Sequence, residues 1–143
     1  MNKNLKIALA IFALSVVVLT GLDYVVNMTL YDYGLEFSME WAMTYWTFYA
    51  LAYQLIVLAC WRITRDIRVL FALEMFVLSG MQDLVFFSLW NGGSYPPGDW
   101  TWLPFYWLFG KWNTMDQLVW SATWITVAAA LLMLPKKRLP AWR

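Results

Sequence analysis

A chain of 143 residues with 62% apolar and 13% charged residues and a mean hydropathy of +0.56 cannot cover one small core with a water-compatible surface, so the composition points to a lipid bilayer. Nine acids and ten bases nearly cancel, which gives no global field to attract nucleic acid. The absence of histidine excludes imidazole metal and haem ligation and His-based proton relays, and the single Cys60 has no partner for a disulfide or a CxxC redox site; no cofactor or metal is expected.

Four apolar runs are predicted to span the membrane as helices, over about residues 5–28, 39–61, 69–90 and 112–134, each close to the roughly 20 residues that a ~30 Å hydrocarbon core needs. The first follows a basic opening but has no convincing small-x-small cleavage site, and reads as an uncleaved anchor. Lys3 and Lys6 precede it, Arg62, Arg65 and Arg68 join the second run to the third, and Lys136, Lys137, Arg138 and Arg143 follow the fourth. With four spans, nine of the ten bases fall on one side and only Lys111 lies opposite. The positive-inside rule makes that side cytoplasmic, with both termini there. The expected fold is therefore an all-α integral membrane protein, a four-transmembrane-helix bundle forming one domain, and the plasma membrane is the simplest location.

The outer side is expected to carry Asp32, Glu36 and Asp99, and the stretch from Asn91 to Asp99 is rich in turn formers. It leads into a short aromatic segment, about residues 102–110, too short to span and suited to an interfacial or re-entrant helix. Trp90, Tyr95, Trp100, Trp102, Trp107 and Trp112 read as interfacial belt residues.

Polar residues inside the apolar runs are the candidates for function, because each needs a partner or a purpose there. At helical spacing, Thr20, Asp23 and Asn27 share a face of the first helix, and Glu40, Thr44, Thr47 and Gln54 a face of the second. Ser79, Asp83, Phe87 and Trp90 share a face of the third, with Gln82 adjacent, and Asn113, Asp116, Trp120 and Thr123 a face of the fourth, with Gln117 beside them. Taken with the antiparallel order, the stripes fall mainly in the outer halves of their helices and predict one cavity open toward the outer leaflet. The serines and threonines among them serve as hydrogen-bonding glue between helices.

Asp83 is the deepest of the outer-half carboxyls and the leading general acid, with Asp116 or Glu40 as its partner, since two carboxyls sharing a site separate into one acid and one base. Asp23, Asn27, Gln82, Gln54, Trp120 and Tyr45 are the expected ligand-binding residues, the aromatic rings offering faces that stabilise a cation or pack a polyene. Glu74, near the inner boundary, is expected to pair with Arg62 or Arg65. These residues point to an apolar lipid or isoprenoid-like ligand and to metal-independent isomerase, cyclase or hydratase chemistry. The alternatives are a non-catalytic subunit of a larger membrane complex that binds lipid, pigment or protein, and a proton- or cation-coupled carrier assembled as a homo-oligomer.

Overall fold

The computed structural model describes residues 3–33, 39–100 and 108–135, with the side chains of residues 31, 32 and 39–42 left out of account. It is all-helical, with no strand among the described residues. The elements are α1 (Lys3–Asp32), α2 (Met39–Thr64), α3 (Ile67–Leu78), α4 (Met81–Val85), which runs on into a π-helical turn (Phe86–Trp90), and α5 (Thr114–Met133). Three helices are long and apolar enough to cross a membrane, and α3 with α4 and its π-helical turn makes a fourth span if that bent pair is counted as one. Most of the interfacial segment expected at 102–110 lies outside the described residues, as do Trp102, Trp107, Glu36, the side chains of Asp32 and Glu40, and the last four bases.

Local chemistry sets the helix ends. Asp66 caps α3 by accepting from the Arg68 backbone N–H at 3.1 Å, and its carboxylate also holds the Arg68 guanidinium, Nε at 2.9 Å. The same guanidinium donates to the Leu134 carbonyl, which ties the start of α3 to the end of α5. At the head of α5, Asn113 accepts from the N–H groups of Met115 and Asp116 while Asp116 Oδ2 accepts from Asn113 N–H, a capping box.

Packing follows the apolar stripes. Ala8, Phe12 and Val16 of α1 meet Tyr53, Val57 and Cys60 of α2 and Val69 and Leu73 of α3 in one buried core, and Phe12 sets its edge against Phe76 at 5.2 Å. A second cluster holds Leu84, Trp100 and Trp112, with Phe87 and Tyr95 against it. This corrects the belt assignment for two residues: Trp100 is 0% and Trp112 7% exposed. Their polar edges are satisfied internally, which allows the burial: Trp100 Nε1 donates to Thr114 Oγ1 at 3.1 Å and Trp112 Nε1 to Gln117 Oε1 at 2.9 Å.

The expected single helix over 69–90 is instead broken at Ser79 and Gly80 and bent by 60°. Gly80 takes a φ of +64°, a left-handed conformation natural to glycine. A break inside an apolar helix frees backbone groups that hydrocarbon cannot satisfy, so the neighbouring helix must do so. From α5, Trp120 Nε1 donates to Leu78 O at 3.1 Å, Ser121 Oγ to Ser79 O at 2.7 Å, and Gln117 Nε2 to Ser79 O at 2.9 Å and Gly80 O at 3.1 Å. Ser79 repairs the near side, its hydroxyl donating to Phe76 O and accepting from Met81 N–H. Gln117 and Ser121, one turn apart on α5, thus form a clamp that is fully buried.

Candidate functional site

The break decides where Asp83 goes. On a straight helix Ser79 and Asp83 share a face; beyond the bend, the half carrying Asp83 runs against α1 while the Ser79 backbone stays bonded to α5. The expected stripe of Ser79, Asp83, Phe87 and Trp90 is therefore split. Asp83 comes within electrostatic range of Asp23 on α1 and of Tyr53 on α2, and Asp23 is also in range of Tyr49.

Each wall of this cluster has a sequence reason. Asp23 and Asn27 lie one turn apart on α1, and Asn27 Nδ2 donates to Asp23 Oδ1 at 2.6 Å and to its carbonyl at 2.9 Å. One turn earlier, buried Thr20 donates to Val16 O and accepts from Trp90 Nε1 at 3.1 Å. The Trp90 ring lies over Gly21, where an added Cβ meets Trp90 Cζ2 at 2.7 Å, so glycine makes that approach feasible. On α2, Tyr45, Tyr49 and Tyr53 follow one another at four-residue spacing. The Tyr45 and Tyr49 rings lie 4.7 Å apart, and the Tyr49 hydroxyl donates to Leu19 O at 3.4 Å. Tyr53 is 3% exposed and its hydroxyl has no hydrogen-bond partner.

Below the cluster lies an apolar groove of about 470 Å³ between α1, α3 and α5, with Phe12, Val16, Leu73, Phe76, Ala128 and Leu132 in its wall. Its α1 side is the face of Leu9, Phe12 and Val16, and the same face continues, turn by turn, into Thr20, Asp23 and Asn27. One stripe of α1 is thus apolar along the groove and polar at the carboxyl pair.

The remaining sequence candidates have other surroundings. Asp116 is held in the capping box and lines a shallow depression with Trp112, Val119, Trp120 and Thr123. Trp120 is committed to the helix break through Leu78 O. The polar stripe expected to turn inward on α2 is instead exposed at Thr44, Thr47 and Gln54; the inward face is the tyrosine stripe. Gln54 donates to Glu74 Oε2 at 2.9 Å, which corrects the expected pairing of Glu74 with Arg62 or Arg65; among the described residues the salt bridge is Arg68 to Asp66. Gln82 is half-buried beside Asp83 in the first turn of α4.

Sequence reading missed Tyr53 and the Gln117–Ser121 clamp as parts of a site. A signal existed for Tyr53, because residues 45, 49, 53, 57 and 60 form one stripe that becomes wholly apolar at its inner end. No group of three or more metal-ligating side chains gathers among the described residues. No family model, curated protein or solved structure matches the chain.

Proposed function

We propose that this is a four-span plasma-membrane protein, a helix bundle with both termini cytoplasmic, that binds an apolar lipid or isoprenoid-like ligand in its outer half and carries out acid-base chemistry on it. The span count rests on α1, α2, α5 and the bent α3–α4 pair, and the orientation on the bases at one end. Discontinuous helices near the middle of a span are where membrane proteins build ligand sites, because the break frees polar groups at depth.

The observation that carries this reading is the pair Asp23 and Asp83 beside the buried, partnerless Tyr53 hydroxyl, in a part of the chain otherwise suited to hydrocarbon. Ionisable groups at such depth are expensive to keep and mark function by default. Two carboxyls that interact electrostatically favour a state in which one is protonated and the other ionised, one acid and one base in the same site. For an isomerisation, the protonated member adds its proton to one carbon of a double bond. The cation forms on the other carbon of that bond, and the ionised member then removes a proton from the carbon on its far side, so the double bond moves one position and no proton is gained or lost. The Tyr49 and Tyr53 rings provide negative faces for the intervening cation. Asn27 orients Asp23, and the groove takes the apolar body of the ligand.

The test is native mass spectrometry with lipid extraction on gently solubilised protein, comparing wild type with Asp23→Asn and Asp83→Asn. Wild type is expected to retain a discrete apolar molecule that both variants lose or hold more weakly. Wild type without any such molecule sinks the reading.

A second reading is favoured by one observation. Gln54 and Glu74 bond to each other on an outward part of α2 and α3, where a polar pair facing lipid is costly and a neighbouring helix would shelter it. A subunit of a homo-oligomer or of a larger membrane complex meets that need, and the same spectra report it as a stoichiometric higher mass.

A further inference from the structure

The bond from Gln54 Nε2 to Glu74 Oε2, 2.9 Å long, joins α2 to α3 outside the buried core. Gln54 is exposed and Glu74 half-buried. Three residues before and four after each of them, on the same helix face, stand exposed apolar side chains: Leu51 and Leu58 on α2, Phe71 and Leu78 on α3. Gln54 lies ten residues before Thr64, where α2 ends, and Glu74 seven after Ile67, where α3 begins. At 1.5 Å per residue both are about 10–15 Å from the connected ends of the two helices, within a hydrocarbon core ~30 Å thick. An amide and a carboxyl at that depth need partners.

The bond they share meets half of that need. An amide has two N–H donors and a carboxylate two accepting oxygens. The second Gln54 N–H and Glu74 Oε1 bond to no other described residue. One donor and one acceptor are therefore left over on the same pair, and a second copy presents the same two. Two copies inserted alike in one membrane are related by a two-fold axis along the membrane normal, which keeps every residue at its own depth. Because Gln54 and Glu74 bond to each other, their polar ends already share a depth. When two such faces meet, their left-to-right order reverses, so Gln54 of each copy stands opposite Glu74 of the other. The second N–H of each Gln54 then donates to Oε1 of the opposite Glu74, closing a ring of four side chains that uses every amide hydrogen and every carboxylate oxygen. A protein of another sequence meets the same need only if it brings its own donor and acceptor to that depth.

We propose that Gln54 and Glu74 form the centre of an isologous interface between two copies of this chain, the α2–α3 face of one packed on the same face of the other. The proposal rests on the second reading above, that a neighbouring helix shelters the pair, and names that neighbour. Leu51, Leu58, Phe71 and Leu78 close around the ring, while the polar centre supplies the preference for protein over lipid.

The full chain, carrying one fluorophore at its C-terminus, is reconstituted in phosphatidylglycerol and phosphatidylcholine liposomes over a range of protein densities, and photobleaching steps count the copies that associate. Wild type is expected to dimerise reversibly. The double variant Gln54→Leu with Glu74→Leu removes both polar groups together, so it strands neither and leaves a face that lipid accepts; it is expected to weaken dimerisation at least about tenfold. The exchanged pair, Gln54→Glu with Glu74→Gln, keeps one amide and one carboxyl per copy at that depth and is expected to dimerise as wild type does. Wild type that stays monomeric at every density overturns the proposal, and so does dimerisation unchanged in the double leucine variant. A stoichiometric complex with a different protein, present in material purified from membranes and abolished in the leucine variant, also overturns it, while leaving the sheltered pair in place. Native mass spectra of the same samples report ligand retention separately, so a monomer that keeps its ligand refutes the interface alone.

Discussion

Replacing Gly80 with alanine probes the helix break directly. At a φ of +64° an alanine pays about 1–2 kcal/mol in backbone strain. Its Cβ also falls 2.4 Å from Gln117 Nε2, so the amide must leave its place. That movement breaks the Gln117 bonds to Ser79 O and Gly80 O and loosens its bond from Trp112, three contacts worth about 0.6 kcal/mol each between membrane helices. Ser121 keeps a bond to Ser79 O and Asp83 N–H one to Gly80 O, so neither carbonyl is stranded. The sum is a loss of about 3 kcal/mol. Reversible unfolding in mixed maltoside and dodecyl sulfate micelles measures it. In a Gln117→Ala background the collision is gone and the same substitution should cost only the strain, about 1–2 kcal/mol, so the two sites couple by about 1.5 kcal/mol. A cost of Gly80→Ala below about 1 kcal/mol, or one equal in both backgrounds, refutes the clamp.

Gly21→Ala pushes a Cβ into the Trp90 ring and breaks the Trp90 bond to Thr20; because Trp90 is partly exposed and can yield, a loss of about 1 kcal/mol is expected in the same unfolding assay. Asn113→Ala removes the cap of α5 and should lower stability by about 1 kcal/mol, with helical content measured by circular dichroism otherwise kept. Tyr53→Phe removes a buried hydroxyl that has no partner, so stability should hold or rise by up to about 1 kcal/mol, whereas ligand retention in native mass spectra falls. Stability lost together with retention would mean that the hydroxyl is a structural group.

Hydropathy made most of the helices legible. Expected runs of 5–28, 39–61 and 112–134 correspond to α1, α2 and α5, because a long apolar stretch has no better way to satisfy its backbone. The third run looked equally continuous, and there the reading failed. A lone glycine in a helical pattern is usually tolerated, and what stabilises the left-handed turn at Gly80 is a glutamine and a serine about forty positions away. The local hints were weak: a Ser-Gly pair just before Gln82 and Asp83, and two polar residues one turn apart on the last helix. The same blind spot hid the carboxyl pairing. Asp23 and Asp83 stand out as acids in apolar runs, but which acid faces which depends on the bend. Assuming a straight helix directs attention to Asp116, which the capping box instead holds at the head of α5. On α2 the difference has another cause, since the spacing points Glu40, Thr44, Thr47 and Gln54 inward and the structure exposes Thr44, Thr47 and Gln54. The inward groups are the tyrosines, whose rings fill the space between helices, while Thr47 satisfies its hydroxyl on its own helix backbone.

The clamp and the carboxyl pair are linked through the geometry of one segment. Asp83 lies three residues beyond Gly80, so its position relative to Asp23 is set by the 60° bend, and the bend is held by donors from α5. The first turn of α4 is thus fixed at one end by the buried amide of Gln117 and at the other by the π-helical turn, whose Trp90 bonds Thr20 of α1. Neither anchor touches the carboxyls. Together they fix the backbone that carries Asp83, which is what a site needs if two acids are to be kept at a working separation in a medium that favours pushing them apart or neutralising them both. The same anchors explain why so short a chain uses such specific polar contacts at depth. Gln117 is fully buried and bonds two backbone carbonyls and an indole, contacts that an apolar residue of equal size cannot make, so replacing it weakens the hold on the bend that sets Asp83 against α1.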